Sequence, residues 1–218
     1  MECFYRQHQN ALDRYIFEHN DIGKLKKETN WQETWGYDLN MYAKIFNFAS
    51  INGVRLLGLN VPYPVVKLTA QVGYDDLPVK LRTLLPTLDM DNKRHREQFI
   101  KAIGADRDDG GMHASPDADK KKGLEHMYQA QVLWDEYMSE TASNYIQENK
   151  SKYLIVIAGL GHILGRVGIP DRIEKRSKLQ SFVIVPQQVQ WSSEGLPVVT
   201  KPLTYRDCDW AWYTEEGI

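Results

Sequence analysis

Residues 154–170 read LIVIAGLGHILGRVGIP, an uninterrupted apolar run followed by a glycine-rich turn that contains one histidine. The run LIVIA (154–158) has the continuous hydrophobic character of a strand buried on both faces, which is typical of parallel sheets. The turn follows directly, with Gly159, Gly161 and His162. Because ligands bind at the carboxyl ends of parallel strands, this turn is the first candidate for a functional site.

The glycine spacing of the turn argues against two common phosphate-binding loops. A dinucleotide fingerprint requires a third glycine at position 164, where this chain has Leu164 and delays the glycine to Gly165. No Gly-Lys-Ser/Thr sequence follows, which excludes a P-loop. His162 is then either a pocket residue or a turn histidine satisfied by backbone groups. Arg166 and Arg172 either face an anionic group across the turn or are solvated surface side chains.

Apolar stretches of strand length alternate with helical periodicity along the rest of the chain. The predicted strands besides LIVIA are VRLLGL (54–59), SFVIVP (181–186) and an edge strand near residue 198, and the main predicted helices cover about 4–16, 41–52 and 115–149. GADRDDGGMHASPDAD (104–119) predicts a mobile loop beside a site. We therefore expect one α/β domain over residues 1–218, with a mainly parallel sheet flanked by helices.

Composition restricts the possible partners. The 218 residues are 42% hydrophobic and 26% charged with a net charge of -2, as in an ordinary globular protein, and no long basic run predicts a nucleic-acid surface. No apolar stretch approaches the roughly 20 residues that span a bilayer. Cys3 and Cys208 lie at opposite ends of the chain, so they predict neither a disulfide framework nor a thiolate metal site.

The longest predicted helix carries polar residues on a face that should be buried. Gln131 and Asp135 share one face with Met127, and Tyr128 lies beside them. Apolar residues cover most of this helix, so Gln131 and Asp135 are predicted to be buried and to need partners. They either tie the helix to a neighbouring turn or form the wall of a site at the sheet end.

The stretch GLNVPYP (58–64) also follows a predicted strand. Asn60 can bond to local backbone groups, and the two prolines fix an extended path past Tyr63. Such a stretch can be a structural turn without a functional role. Its position at a neighbouring strand end predicts that it shares one cleft with the glycine-rich turn.

Several pieces of the chain, in order, resemble one known family. They are ECF (2–4), W...W.YD (31–38), GLN.P (58–62), QAQVLWDEYM (129–138) and IAGLGH.....GIP (157–170). Together they are similar to the ChaN-like haem-binding family of the Tiki superfamily. The resemblance covers about residues 2–172 and leaves residues 173–218 as C-terminal strands and a tail.

The resemblance implies a haem-binding protein without turnover that serves haem or iron uptake or handling. Haem would lie in a cleft at the carboxyl ends of the strands, commonly shared between two subunits of a homodimer. The positions that match the family pattern or supply candidate haem contacts are His162, Tyr128, Tyr63, Gln131, Asp135, Asn60, Gly159 and Gly161. Tyrosine is the expected type of iron ligand, and the resemblance does not fix which tyrosine it is.

One departure from the family pattern lies at the start of the chain. Family members begin with a strand ending in Gly-Glu-x-His, whereas Met1 stands directly before the matching Glu2, so we expect an N-terminally truncated form. The alternative function is a metal-dependent hydrolase of Tiki or esterase type, with Glu2 and His162 binding metal. A third reading is a ligand-free scaffold. A plant member would be expected in the chloroplast, and any other in the cytoplasm or at a membrane through the missing segment.

Overall fold

The computed structural model describes residues 1–105, 118–199 and 202–215. Most of the predicted loop 104–119, including the predicted start of the long helix, lies outside the described residues. The helices are α1 Gln9–Phe17, α2 Ile22–Glu28, α3 Trp31–Thr34, α4 Asn40–Ile51, α5 Tyr63–Val72, α6 Val79–Arg82, α7 Lys93–Ala102, α8 Ala118–Glu148, α9 Leu160–Ile163 and α10 Ile169–Ser177, with 3-10 turns at Arg6–His8 and Leu164–Arg166.

The regular sheet lies in the C-terminal part of the chain. It has three strands in the order β2-β1-β3, with β1 at Ile184–Trp191, β2 at Pro197–Val198 and β3 at Trp210–Glu215. β1 and β3 are parallel, and β1 and β2 are antiparallel. The predicted edge strand near residue 198 is confirmed as β2. The fold is α/β, but the sheet is small and mixed, so the prediction of a mainly parallel sheet is not confirmed.

The two apolar runs LIVIA and VRLLGL are extended, and the first residues of the chain separate them. Glu2 N donates to Ile157 O at 3.0 Å on one side, while Leu59 N donates to Met1 O at 3.3 Å on the other. Tyr5 and Asn60 form a parallel bridge. The backbone hydrogen bonds between residues 1–5 and the two runs involve Leu57, Leu59 and Ile157, and no regular ladder forms along the runs among the described residues. Ile155 is 81% exposed, so LIVIA is not buried on both faces as predicted.

The long helix α8 organises the core. It packs along α5 and α10, and its buried residues Met138 and Ala142, one turn apart, contact Leu57, Leu59 and Ile169. Each large side chain buried in this way contributes roughly 1.5–3 kcal/mol of hydrophobic free energy. The predicted end of this helix near residue 149 is confirmed. α8 therefore backs the ends of the two extended runs.

Two of the further apolar clusters lie away from these run ends. The first joins Phe4 to Trp31 and Phe46, all almost fully buried, beneath the N-terminal helices. The second places Val185 of β1 against Cys208. Both cysteines are free thiols. No helix in the described part of the chain has the length and apolar character needed to cross a bilayer.

Candidate functional site

The start of the chain and the ends of the two apolar runs lie side by side, and they bring together the predicted polar residues. Glu2 lies between Asn60 and Gly159: Asn60 Nδ2 donates to Glu2 O at 2.9 Å, and Gly159 N donates to Glu2 Oε2 at 2.5 Å. The indole of Trp134, on α8, also donates to the side-chain oxygen of Asn60. The sequence prediction that Asn60 and the glycine-rich turn belong to one site agrees with this arrangement.

His162 lies at the centre of the cluster, on the single turn of α9. Its Nδ1 is 2.5 Å from Asp135 Oδ1, and its Nε2 is 3.5 Å from Glu2 Oε1. Gln131 Nε2 is 3.2 Å from the same Nδ1. His162 is only 7% exposed, so its ring is enclosed by these groups. Gln131 and Asp135 therefore both meet the turn; Asp135 is buried as predicted, whereas Gln131 is only partly buried.

A second histidine, which the sequence did not single out, completes the partners of Asp135. His95 Nε2 lies 2.9 Å from Asp135 Oδ2, at ion-pair distance but without the alignment of a hydrogen bond. Asn92 caps the start of α7 by accepting from His95 N at 3.1 Å, which places the ring near α8. In sequence, the cap pattern indicates only a helix start. The one available signal was that a buried Asp135 needs a partner for each oxygen.

The charges of the cluster stabilise one another. Burial lowers the pKa of His162, but the charge of Asp135 and hydrogen bonds to Asp135 and Glu2 outweigh burial and raise this pKa to about 10. Burial raises the pKa of Asp135, and the charge and hydrogen bond of His162 outweigh it and lower the pKa to about 2. The pKa of Glu2 is lowered for the same reason, with burial outweighed mainly by His162. At neutral pH an imidazolium lies between two carboxylates.

Gly168 allows the turn that carries His162 to approach α8 closely. A Cβ at this position would lie 2.2 Å from His162 O and 3.3 Å from Asp135 Oδ2, so any larger residue would push the turn away from α8. Gly168 also immediately precedes α10, where Pro170 stands in the first turn as helix starts favour. The glycine is therefore required by close approach.

The remaining predicted residues differ in how far they are exposed to solvent. Tyr128 is 1% exposed, and its hydroxyl is 3.2 Å from His95 Nδ1, on the far side of the cluster. Tyr63 is 55% exposed at the start of α5, three residues after Asn60. Gly161 is exposed, and a Cβ there would meet nothing within 4 Å. The structure therefore groups Glu2, Asn60, Gly159, Gln131, Asp135 and His162, and leaves both tyrosines outside this group.

The two arginines of the turn have different surroundings. Arg172 is 2% exposed; its Nε donates to Glu136 Oε1 at 3.0 Å and its Nη1 to the carbonyl of Val167 at 2.9 Å. It is a buried structural cation. Arg166 bonds to Asp209, and its Nη2 donates to Glu174 Oε1 at 2.7 Å. Neither arginine is a solvated surface side chain without partners.

The donor set allows two kinds of chemistry. Glu2 Oε1 and a deprotonated His162 Nε2 are close enough to share a cation, but no three His, Cys, Asp or Glu side chains within residues 1–105, 118–199 and 202–215 are placed to hold one metal ion. Tyr63 is 55% exposed, and tyrosine is one of the side chains that hold haem iron in proteins.

Comparison with known proteins supports one family. The chain has the fold of ChaN from Campylobacter jejuni, whose structure is described as cofacial haem binding, with a TM-score of 0.62 and 16% sequence identity over 96% of this chain and 70% of that chain. No match was found among curated proteins. A family model for haem-binding uptake proteins matches residues 1–173 and so includes the whole polar cluster. The chain belongs to the haem-binding uptake family ChaN of the Tiki superfamily.

Proposed function

We propose that this chain binds haem at the ends of the three joined segments, with Tyr63 as the iron ligand. Family membership supports haem as the ligand. The observation that carries the choice of residue is exposure: Tyr63, three residues after Asn60, is 55% exposed, whereas Tyr128 is 1% exposed and its hydroxyl is 3.2 Å from His95 Nδ1. Leu160, which directly follows Gly159, is 50% exposed and offers apolar contact for a macrocycle.

In this proposal His162 does not ligate iron; it holds the residues on which the ligand would rest. Both of its ring nitrogens face carboxylates, so neither offers a lone pair outward. Its contacts hold Glu2, and Glu2 in turn accepts from the backbone of Gly159. The cluster thereby fixes the turn on which a flat ligand would rest. Bound haem would supply an iron atom for uptake or handling, and no turnover is proposed.

A hemin titration with two matched variants tests this proposal. We expect a saturable Soret shift at about one haem per chain in the native protein. Tyr63→Phe should weaken binding about tenfold or more, while Tyr128→Phe, which removes the same hydroxyl from a buried position, should leave the affinity unchanged. Absence of a saturable shift, or equal binding by Tyr63→Phe and the native protein, would contradict the proposal.

The metal-dependent hydrolase is a second candidate because of one distance. Glu2 Oε1 and His162 Nε2 are 3.5 Å apart, and Asp135 stands behind the ring as carboxylates often stand behind metal-binding histidines. Two protein ligands are fewer than catalytic zinc sites use. Titration with Zn²⁺ or Mn²⁺, followed by elemental analysis and an esterase assay, distinguishes this candidate. Stoichiometric metal that is lost in Glu2→Gln would favour it.

Finer predictions accompany haem binding. If two copies share one haem site, hemin should double the mass measured by analytical ultracentrifugation. A role in haem or iron uptake, and a chloroplast location in a plant source, remain predictions. They are tested by the growth of a deletion strain on haem as its iron source and by imaging the tagged protein in its own cells.

A further inference from the structure

A second candidate site lies outside the polar cluster, in a cavity of about 430 Å³. Its walls come from three separate elements: Arg94 of α7, Gly165 and Arg166 of the 3-10 turn after α9, and Tyr205 and Arg206 of the loop before β3. Three of the five lining residues are arginines. The cavity therefore combines space for a small ligand with a concentration of guanidinium groups.

Two of these guanidinium groups have no acidic partner in the described part of the chain. Arg94 Nη2 reaches only Gly165 O, at 3.5 Å, and Arg206 Nε reaches only the hydroxyl of Tyr205, at 3.3 Å. Asp207, next to Arg206 in the chain, instead accepts from Thr204, and this lowers its pKa, with smaller effects of the charges of Lys101 and Arg94. The guanidinium groups of Arg94 and Arg206 are thus not held by a carboxylate among the described residues.

Arg166 has a different part in the cavity, since its charge is already neutralised. It is held by Asp209 and Glu174 and by the carbonyl of Ser181 at 2.9 Å. Arg166 and Gly165 both have positive φ, of 62° and 68°, and Gly165 N donates to Asp207 O at 2.8 Å. These contacts fix the loop that carries Arg206 against the turn, so the cavity walls are built by specific bonds.

We propose that this cavity binds an oxyanion, either a phosphate or a carboxylate, between Arg94 and Arg206. Guanidinium groups recognise planar and tetrahedral oxyanions through paired N–H donors, and the hydroxyl of Tyr205 adds a further polar contact. The source is either a free anionic metabolite or the carboxylate groups of haem. Only the second source rests on the proposed haem function.

Two probes separate these sources. Inorganic phosphate, titrated by calorimetry at low ionic strength, tests a free anion. Hemin and its dimethyl ester, compared in a Soret titration, test the haem carboxylates. The variants are Arg94→Gln and Arg206→Gln, and the matched control is Lys44→Gln, which removes one positive charge from an exposed position of α4. Circular dichroism confirms that each variant is folded.

Two results support the site. Either phosphate binds saturably and each arginine variant weakens it about tenfold, or hemin binds more tightly than its ester and the arginine variants remove that difference. In both cases Lys44→Gln should behave as the native protein. The proposal is overturned if neither probe depends on Arg94 and Arg206, or if the control loses as much. A phosphate result stands even if hemin fails to bind.

Discussion

Replacing Asp135 by asparagine keeps the shape of the side chain and removes the charge that His162 faces across 2.5 Å. The pKa of His162 is raised from 6.5 to about 10, and one pKa unit corresponds to about 1.4 kcal/mol. The charged ring therefore gains on the order of 5 kcal/mol from its surroundings. The lowered pKa of Asp135 reflects the same ion pair and is not added. Because the ring can release its proton in the variant, we expect a loss of about 3 kcal/mol at neutral pH.

The direction of the pH dependence distinguishes this ion pair from a generic loss of packing. In the native protein the contribution of His162 is full below the unfolded pKa of 6.5 and is lost as pH rises through about 10. In Asp135→Asn, burial without the facing charge should lower the pKa of His162, so stability should fall as pH drops below about 6.5. The two stability curves should therefore differ most near pH 5, the acidic end of the measured range, and converge toward pH 10.

Urea unfolding of both proteins between about pH 5 and pH 9 measures these curves, and NMR of the imidazole C–H follows His162 itself. Asp13→Asn is the control, since Asp13 pairs with Arg55 at the surface, where such pairs contribute at most about 1 kcal/mol. Parallel curves for native protein and Asp135→Asn, or a His162 that titrates below pH 7 in the native protein, would refute the ion-pair reasoning.

Two other substitutions test the surroundings of the cluster. Gly168→Ala places a Cβ 2.2 Å from the carbonyl of His162 and should lower the free energy of unfolding by about 1–3 kcal/mol, with urea unfolding as the measurement and Gly123→Ala, in open space on α8, as the control. Arg172→Met leaves Glu136 without one of its buried partners and should cost about 3–5 kcal/mol. A melting temperature equal to that of the native protein would show that Arg172 is dispensable.

The sequence predicts those members of the cluster whose place follows from their position along a helix or after an apolar run. Helical periodicity predicts Asp135 and Gln131 on one buried face, and the structure buries Asp135 but only partly buries Gln131; Gly159 is predicted by its place after an apolar run. His95 could not be found this way because its approach to Asp135 depends on how α7 packs against α8. Tyr128 is a candidate haem contact by sequence, but its position on the helix does not reveal that its hydroxyl faces His95.

The sheet was predicted less well for a related reason. β3, Trp210–Glu215, is rich in aromatic residues with strand propensity, but its residues alternate weakly, since Trp210, Trp212 and Tyr213 are all more than half exposed. It pairs with β1 through register contacts between residues far apart in the chain. Conversely, LIVIA has the pattern of a buried strand yet makes few ladder bonds, because pairing depends on which segment lies beside it.

The polar cluster explains how short, weakly paired segments can hold a defined surface. Residues 1–5 form no regular strand, and their backbone hydrogen bonds reach only a few residues of the neighbouring runs, among them Leu59 and Ile157. A carboxylate that must meet both the ring of His162 and the backbone of Gly159 permits one register only. Buried ion pairs contribute little net stability compared with apolar packing, but they penalise every arrangement that leaves a charge unpaired. The cluster is therefore best understood as a device that positions the turn from Gly159 to Gly168, and the exposed residues beside it, for a ligand.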